Sequence, residues 1–192
     1  MLGKRIFDIL FSILVCVFVL SWLIPLIAII NFLESGEKTF FTQERVGQFG
    51  KPFTIYKFKS MKGIPPTNDP LLSLEEQHRI TKFGKFMRTY RIDEFPQFIN
   101  VFLGEMSIVG PRPERQQFLD KVIAKMPKYK QMQQLKPGIT SLGQVKYGYA
   151  DNLSQMLKRA RYDLIYLDNL NYWTDLKVIF ATIKVVFKGT GK

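Results

Sequence analysis

The chain has 192 residues, with 28 Lys and Arg against 16 Asp and Glu for a net charge of +12, and it contains one Cys and one His. Cys16 alone excludes internal disulfides and thiolate metal sites, and His78, which lies beside Glu75, Glu76 and Arg79 in what reads as an exposed helix, leaves Cys–His pairs, Ser–His–Asp triads and His-ligated zinc without their parts. Chemistry must rest on carboxylates, Lys, Arg and a hard cation, and the positive charge fits anionic lipid, phosphorylated small molecules or nucleic acid.

Residues 9–33 carry no formal charge, and such a run is long enough for a bilayer. A secretory signal fits poorly, because Asp8 interrupts the approach, the run exceeds a signal core and no small-residue cleavage pattern follows. Pro25 has no N–H for the carbonyl of Ser21, so a broken helix is predicted, in pieces too short to cross alone. Ser21 supplies a hydroxyl for a carbonyl near the break. Lys4 and Arg5 before the run, and Lys38, Arg45, Lys51, Lys57 and Lys59 after it, hold both ends to one membrane face. A helix that enters and turns back satisfies this, and a straight crossing is the alternative. The division is then an anchor, 1–35, and one cytoplasmic domain, 36–192.

Residues 39–42 and 53–61 read as strands of a hairpin across Gly47, Gly50 and Pro52, with Lys57 and Lys59 on one face, suited to a phosphate or simply solvated. Residues 62–74, with Pro65, Pro66, Asn68, Asp69 and Pro70, read as a loop that can cover a site, and a helix is predicted over 74–88. Further helices are predicted over 114–125, halted by Pro127 and resuming to Leu135 before Pro137-Gly138, and from an Asp151 or Asn152 cap through Leu153, Leu157, Ala160, Leu164 and Leu167. Over 175–188, Lys177, Lys184 and Lys188 form a narrow stripe on an otherwise apolar helix, which either lies in a headgroup layer or is buried in the core. The fold class is α-rich α+β.

Two short strings bear chemistry. Asp93 and Glu94 stand just before Pro96, which is placed for the first turn of a helix whose positive end favours ionised carboxylates and a hard cation. An ionised Asp can attack phosphorus to give an acyl phosphate; the plainer alternative is a helix cap with an exposed acid beside it. Gly110-Pro111-Arg112-Pro113 stiffens the backbone around an arginine fork suited to phosphate, and Arg88 lies close enough in sequence to reach the same site.

These strings resemble the bacterial sugar transferases, the small monotopic phosphoglycosyl transferases, along essentially the whole chain. The resemblance rests on the order of Lys4-Arg5-Ile6-Phe7-Asp8, the Pro-broken apolar helix, Gln43-Glu44-Arg45-Val46-Gly47, Tyr56-Lys57-Phe58-Lys59-Ser60-Met61, Asp93-Glu94-Phe95-Pro96-Gln97 with Asn100, Met106 through Pro113, Lys136-Pro137-Gly138-Ile139-Thr140 with Gln144-Val145, and Tyr162-Asp163. It implies transfer of a sugar-1-phosphate from a nucleotide-sugar donor, a UDP-sugar, to undecaprenyl phosphate at the cytoplasmic face of a bacterial inner membrane. On that reading Asp93 is the nucleophile, Glu94 completes the dyad, both lie near Mg²⁺, and Lys59, Arg88 and Arg112 bind phosphate. Pro25 turns the anchor back, membrane lipid is a partner, nucleic acid is not, and a homodimer is left open. The chain differs from the commoner pattern at Ile24 before Pro25, at Ser141-Leu142-Gly143 and at Tyr147-Gly148-Tyr149. The competing readings are a non-catalytic, membrane-tethered basic adaptor for anionic lipid or nucleic acid, and a hydrolase of lipid phosphates.

Overall fold

The computed structural model describes residues 2–63 and 78–189. Its first feature is a 34-residue apolar helix in three parts, α1 (Leu2–Val15), a wider π turn (Cys16–Leu20) and α2 (Ser21–Ser35). Pro25 lies inside α2 and does not divide the helix, contrary to the sequence-based expectation. The irregularity sits one turn earlier. A π turn shifts the backbone bonds by one residue and leaves a carbonyl without its usual amide. Here Ser21 Oγ donates to the Val17 carbonyl at 2.5 Å and Trp22 Nε1 to the Phe18 carbonyl at 2.9 Å.

The extra residue has a purpose that the burial pattern reveals. Asp8, Ser12 and Val15 are buried before the turn, and Leu20, Leu23, Ile27 and Asn31 after it. Each set keeps helical spacing, but five residues separate Val15 from Leu20, so the inserted residue brings the second half back into phase with the first. One continuous stripe then docks on the domain. Lys4 pairs with Asp175 at 2.6 Å, Arg5 donates to the carbonyls of Val101 and Phe102, and Asp8 accepts from the Ile108 amide. At the far end Asn31 donates to the Lys59 carbonyl, and Glu34 accepts from the amides of Lys82 and Phe83. The opposite face, including Leu10, Phe18, Trp22, Ile29 and Phe32, is exposed.

The hairpin forms as predicted, β1 (Phe40–Val46) antiparallel to β2 (Pro52–Phe58), although β2 stops before Met61, which makes an isolated bridge with Ile80. The helix predicted over 74–88 begins, among the described residues, at α3 (Lys82–Thr89), where Thr81 Oγ1 accepts from the Gly84 amide. His78 is exposed and precedes that helix. The loop predicted over 62–74 lies almost wholly outside the described residues. A short 3-10 turn (Ile92–Glu94) then leads through Pro96 into α4 (Gln97–Leu103).

A second, parallel sheet was not foreseen. It joins β3 (Ser107–Val109) to β4 (Gly138–Thr140), so the stiff Gly110-Pro111 string and the Pro137-Gly138 stop lie side by side. Gly138 donates to the Pro111 carbonyl at 2.8 Å and Gly110 to the Thr140 carbonyl at 3.0 Å. A Cβ on Gly110 would meet the Gly138 amide nitrogen at 2.9 Å, so this approach requires glycine.

The predicted α5 (Gln116–Lys125) is followed by a 3-10 stretch (Pro127–Gln134), then α6 (Leu142–Lys146), α7 (Leu153–Asp168) and α8 (Tyr172–Phe187). Asn152, rather than Asp151, caps α7. The α7 stripe packs as predicted, with Ala160 buried and Leu153, Leu157, Leu164 and Leu167 against the same cluster as Phe118, Val122 and Tyr129. In α8 only Val178 is buried, while Trp173, Phe180, Ile183, Phe187 and all three lysines are exposed, so the alternative of a buried core helix is excluded.

Candidate active site

Tertiary contacts bring the two carboxylates into a charged cavity and give them opposite surroundings. Arg91 adopts a left-handed conformation, φ 54°, which ends the path of α3 and turns the chain into the Ile92–Glu94 turn. Buried Asn100 of α4 ties this segment to β2, donating to the Thr54 carbonyl at 2.7 Å and accepting from the Tyr56 amide at 3.1 Å. Lys57, next along β2, therefore faces Glu94.

Glu94 is the buried member of the pair. Its Oε1 meets Lys57 Nζ at 2.8 Å and Arg112 Nη1 at 3.6 Å, and its Oε2 meets Arg91 Nη1 at 3.3 Å. Burial alone pushes this carboxyl up, but Lys57, Arg112 and Arg91 outweigh it and hold Glu94 well below the usual carboxylate range. Asp93 is different: it is partly buried and makes no hydrogen bond or ion pair among the described residues. Burial, reinforced by the negative charge of Glu94 and opposed by Lys57, Arg88 and Arg91, pushes its carboxyl up to about 6. The arrangement leaves one carboxylate structural and the other free to react.

Both line a cavity of about 230 Å³. Among the described residues its wall carries nine cations, Arg45, Lys57, Lys59, Arg79, Arg88, Arg91, Arg112, Arg115 and Arg159, against three carboxylates, Asp93, Glu94 and Glu114. Such a surplus recruits anions. The predicted phosphate ligands Lys59, Arg88 and Arg112 all lie on this wall, but they are not equally available. Lys59 is paired with Glu37, and Arg112 shares Glu94, while Arg88 among the described residues has only a contact at 3.6 Å from Nη1 to the sulfur of Met61. Lys57 faces the cavity with Lys59, as strand alternation requires, yet its partner is Glu94. Arg159, paired with Glu114, extends the charged wall. Sequence reasoning missed Arg91, Glu114, Arg159 and Gln144 as wall residues; Arg91 stands two residues before Asp93, whereas the others come from distant segments.

The described residues contain no group of three or more side chains of the metal-ligating types. Mg²⁺ asks for less, since it is held by one or two carboxylates together with substrate phosphates and water. The Asp93 carboxylate and the adjacent Glu94 Oε2, whose single partner among the described residues lies at 3.3 Å, fit that demand.

The model of the family described as "Bacterial sugar transferase" matches residues 1–189. The chain belongs to the bacterial sugar transferase family. Among similar family members is a UDP-N-acetylgalactosamine-undecaprenyl-phosphate N-acetylgalactosaminephosphotransferase of Aeromonas hydrophila, 36% identical over 188 residues that cover 98% of this chain and 44% of the relative. A UDP-glucose:undecaprenyl-phosphate glucose-1-phosphate transferase of Klebsiella pneumoniae is 37% identical over 191 residues, 98% of this chain and 40% of its own length. An uncharacterized sugar transferase, EpsL, of Bacillus subtilis (strain 168) is 35% identical over 191 residues, covering 100% of this chain and 90% of the relative. This bacterial sugar transferase thus spans less than half the length of the first two relatives.

Proposed function

We propose that this bacterial sugar transferase is an enzyme that moves a sugar-1-phosphate from a UDP-sugar to undecaprenyl phosphate, through a phosphosugar carried on Asp93, as an opening membrane step of glycan assembly. The observation that carries the proposal is the free Asp93 carboxylate on a cation-lined cavity, beside a Glu94 whose charge is already engaged. The names of the relatives supply the donor and acceptor classes. An adaptor that only gathers phosphates has no use for an unpaired carboxylate within the cavity.

In the first half-reaction an Asp93 oxygen attacks the sugar-bearing phosphorus, the bond from that phosphorus to the bridging oxygen breaks, and UMP leaves with the electron pair. In the second, an undecaprenyl phosphate oxygen attacks the same phosphorus and the Asp93 carboxylate is released. Arg88 and Arg112, with Lys59, hold the phosphoryl oxygens, and Glu94 fixes Lys57, Arg91 and Arg112 around the reacting centre. Mg²⁺, held by Asp93 and Glu94 with the donor, would offset charge on the departing phosphate.

The anchor supports a monotopic placement on one membrane face. Both of its ends bind the same domain, through Lys4, Arg5 and Asp8 at one end and Asn31 and Glu34 at the other, whereas a straight crossing carries its ends to opposite faces. The basic flanks favour the cytoplasmic side of a bacterial inner membrane for that face.

Incubation with UDP-sugar alone is expected to release one UMP per protein and leave a phosphosugar adduct detectable by intact mass. UMP released only when undecaprenyl phosphate is present, with no adduct, would overturn the covalent step. Because Asp93 titrates near 6, adduct formation is expected to be level above about pH 7 and to fall about tenfold per pH unit below 6, as the attacking carboxylate becomes protonated. Single-turnover rates between pH 4.5 and 8 measure this.

A further inference from the structure

Gln144 lies in the cavity wall, away from the acidic pair in sequence, and is 4% exposed. Its backbone is held on two sides. Ser141 Oγ accepts from the Gln144 amide at 3.0 Å, and Asp163 Oδ1 accepts from the Gly143 amide at 2.8 Å. α6 is also packed hard on α7, since a Cβ at Gly143 would come within 2.7 Å of both the Arg159 side chain and Asp163 Oδ1. The side chain is the opposite: among the described residues neither Nε2 nor Oε1 has a hydrogen-bond partner, although both are buried. An unmet buried carboxamide is costly, by amounts that a folded protein rarely carries without a use.

We infer that Gln144 is a donor-specificity residue that pairs with an amide or imide edge of the nucleotide-sugar. The complement of a free N–H and a free C=O is a group offering one acceptor beside one donor. A UDP-sugar has this chemistry in the imide edge of uracil, and an N-acetylated sugar has it again in the acetamido group. This inference rests on the proposed donor class and adds the residue that reads it. A site built to hydrogen-bond an amide discriminates strongly against a ligand without one, because its own polar atoms are then left unpaired.

The test measures binding rather than turnover, in an Asp93→Asn background that blocks chemistry. Dissociation constants are compared for UDP-glucose, UDP-N-acetylglucosamine and UDP-glucose methylated at uracil N3, with Gln144 intact and with Gln144→Met or Gln144→Glu. An imide contact predicts that Gln144→Met weakens both UDP-sugars about tenfold or more and leaves the N3-methylated donor, which lacks the imide N–H, little changed. An acetamido contact predicts the same loss for UDP-N-acetylglucosamine alone. Equal weakening of all three donors marks a structural role and overturns the inference, as does no change or no binding of any donor. Thermal melting of Gln144→Glu, which keeps the size of the side chain, separates misfolding from lost recognition. If the wild-type protein forms no adduct while the Gln144 effect on binding stands, it is the covalent reading of Asp93 that fails.

Discussion

Asp93→Asn is expected to lower turnover by about 10⁴-fold or more, abolish the phosphosugar adduct and raise thermal stability. Loss of the attacking oxygen anion accounts for the first two effects. The third follows from the environment of the carboxyl, which is pushed from 3.8 to about 6 by burial, with Glu94 adding to the cost of ionising it. A carboxyl whose folded value is raised stabilises the fold fully below about pH 4, and that contribution is lost as pH rises through 6. At neutral pH the wild type therefore holds an ionised Asp93 at a cost on the order of 1–3 kcal/mol, which the amide removes. A gain of several degrees in melting temperature, growing between pH 4 and 6 and level above, is the expected result. Retention of full turnover would end the nucleophile assignment, and a lower melting temperature would contradict the electrostatic account.

Glu94→Gln is expected to move stability in the opposite direction. Glu94 is the shared anion of Lys57, Arg91 and Arg112, and with its charge gone three cations face one another in a buried space. Breaking one side of a buried pair costs about 3–5 kcal/mol, so the melting temperature is expected to fall by roughly 10 °C. Activity is expected to drop by about 10²-fold, because the cations that position the phosphates lose their anchor. Removal of Glu94 also lifts a like-charge push on Asp93 and releases Lys57 and Arg91 toward it. The acidic limb of adduct formation should then move below pH 6. Thermal melts and single-turnover pH profiles read both effects, and an unchanged melting temperature would show that Glu94 does not organise these cations.

The two carboxylates show where sequence reading stops. Their adjacency and their position before Pro96 are local facts, and they mark a candidate site without any tertiary information. Which of them is free is a tertiary fact. It depends on Lys57 from β2 and Arg112 from the loop after β3, brought to Glu94 by the bond between Asn100 and β2. Lys59 illustrates the same limit, since alternation places it on the cavity side and only the fold pairs it with Glu37.

The sequence by itself determined those features that short-range physics controls. These are the apolar anchor with basic flanks, the hairpin across Gly47, Gly50 and Pro52, the capped and periodic α7, and the Asp-Glu and Pro-Arg-Pro strings. Only the tertiary structure decided where the anchor is irregular, because the π turn at Cys16–Leu20 exists to keep two halves of a docking stripe in phase against a surface built from distant residues. It also decided the parallel pairing of β3 with β4, the roles of Asp93 and Glu94, and the unmet carboxamide of Gln144. Each of these depends on which groups meet across long stretches of chain, and pairing and desolvation energies exist only once those groups are in contact.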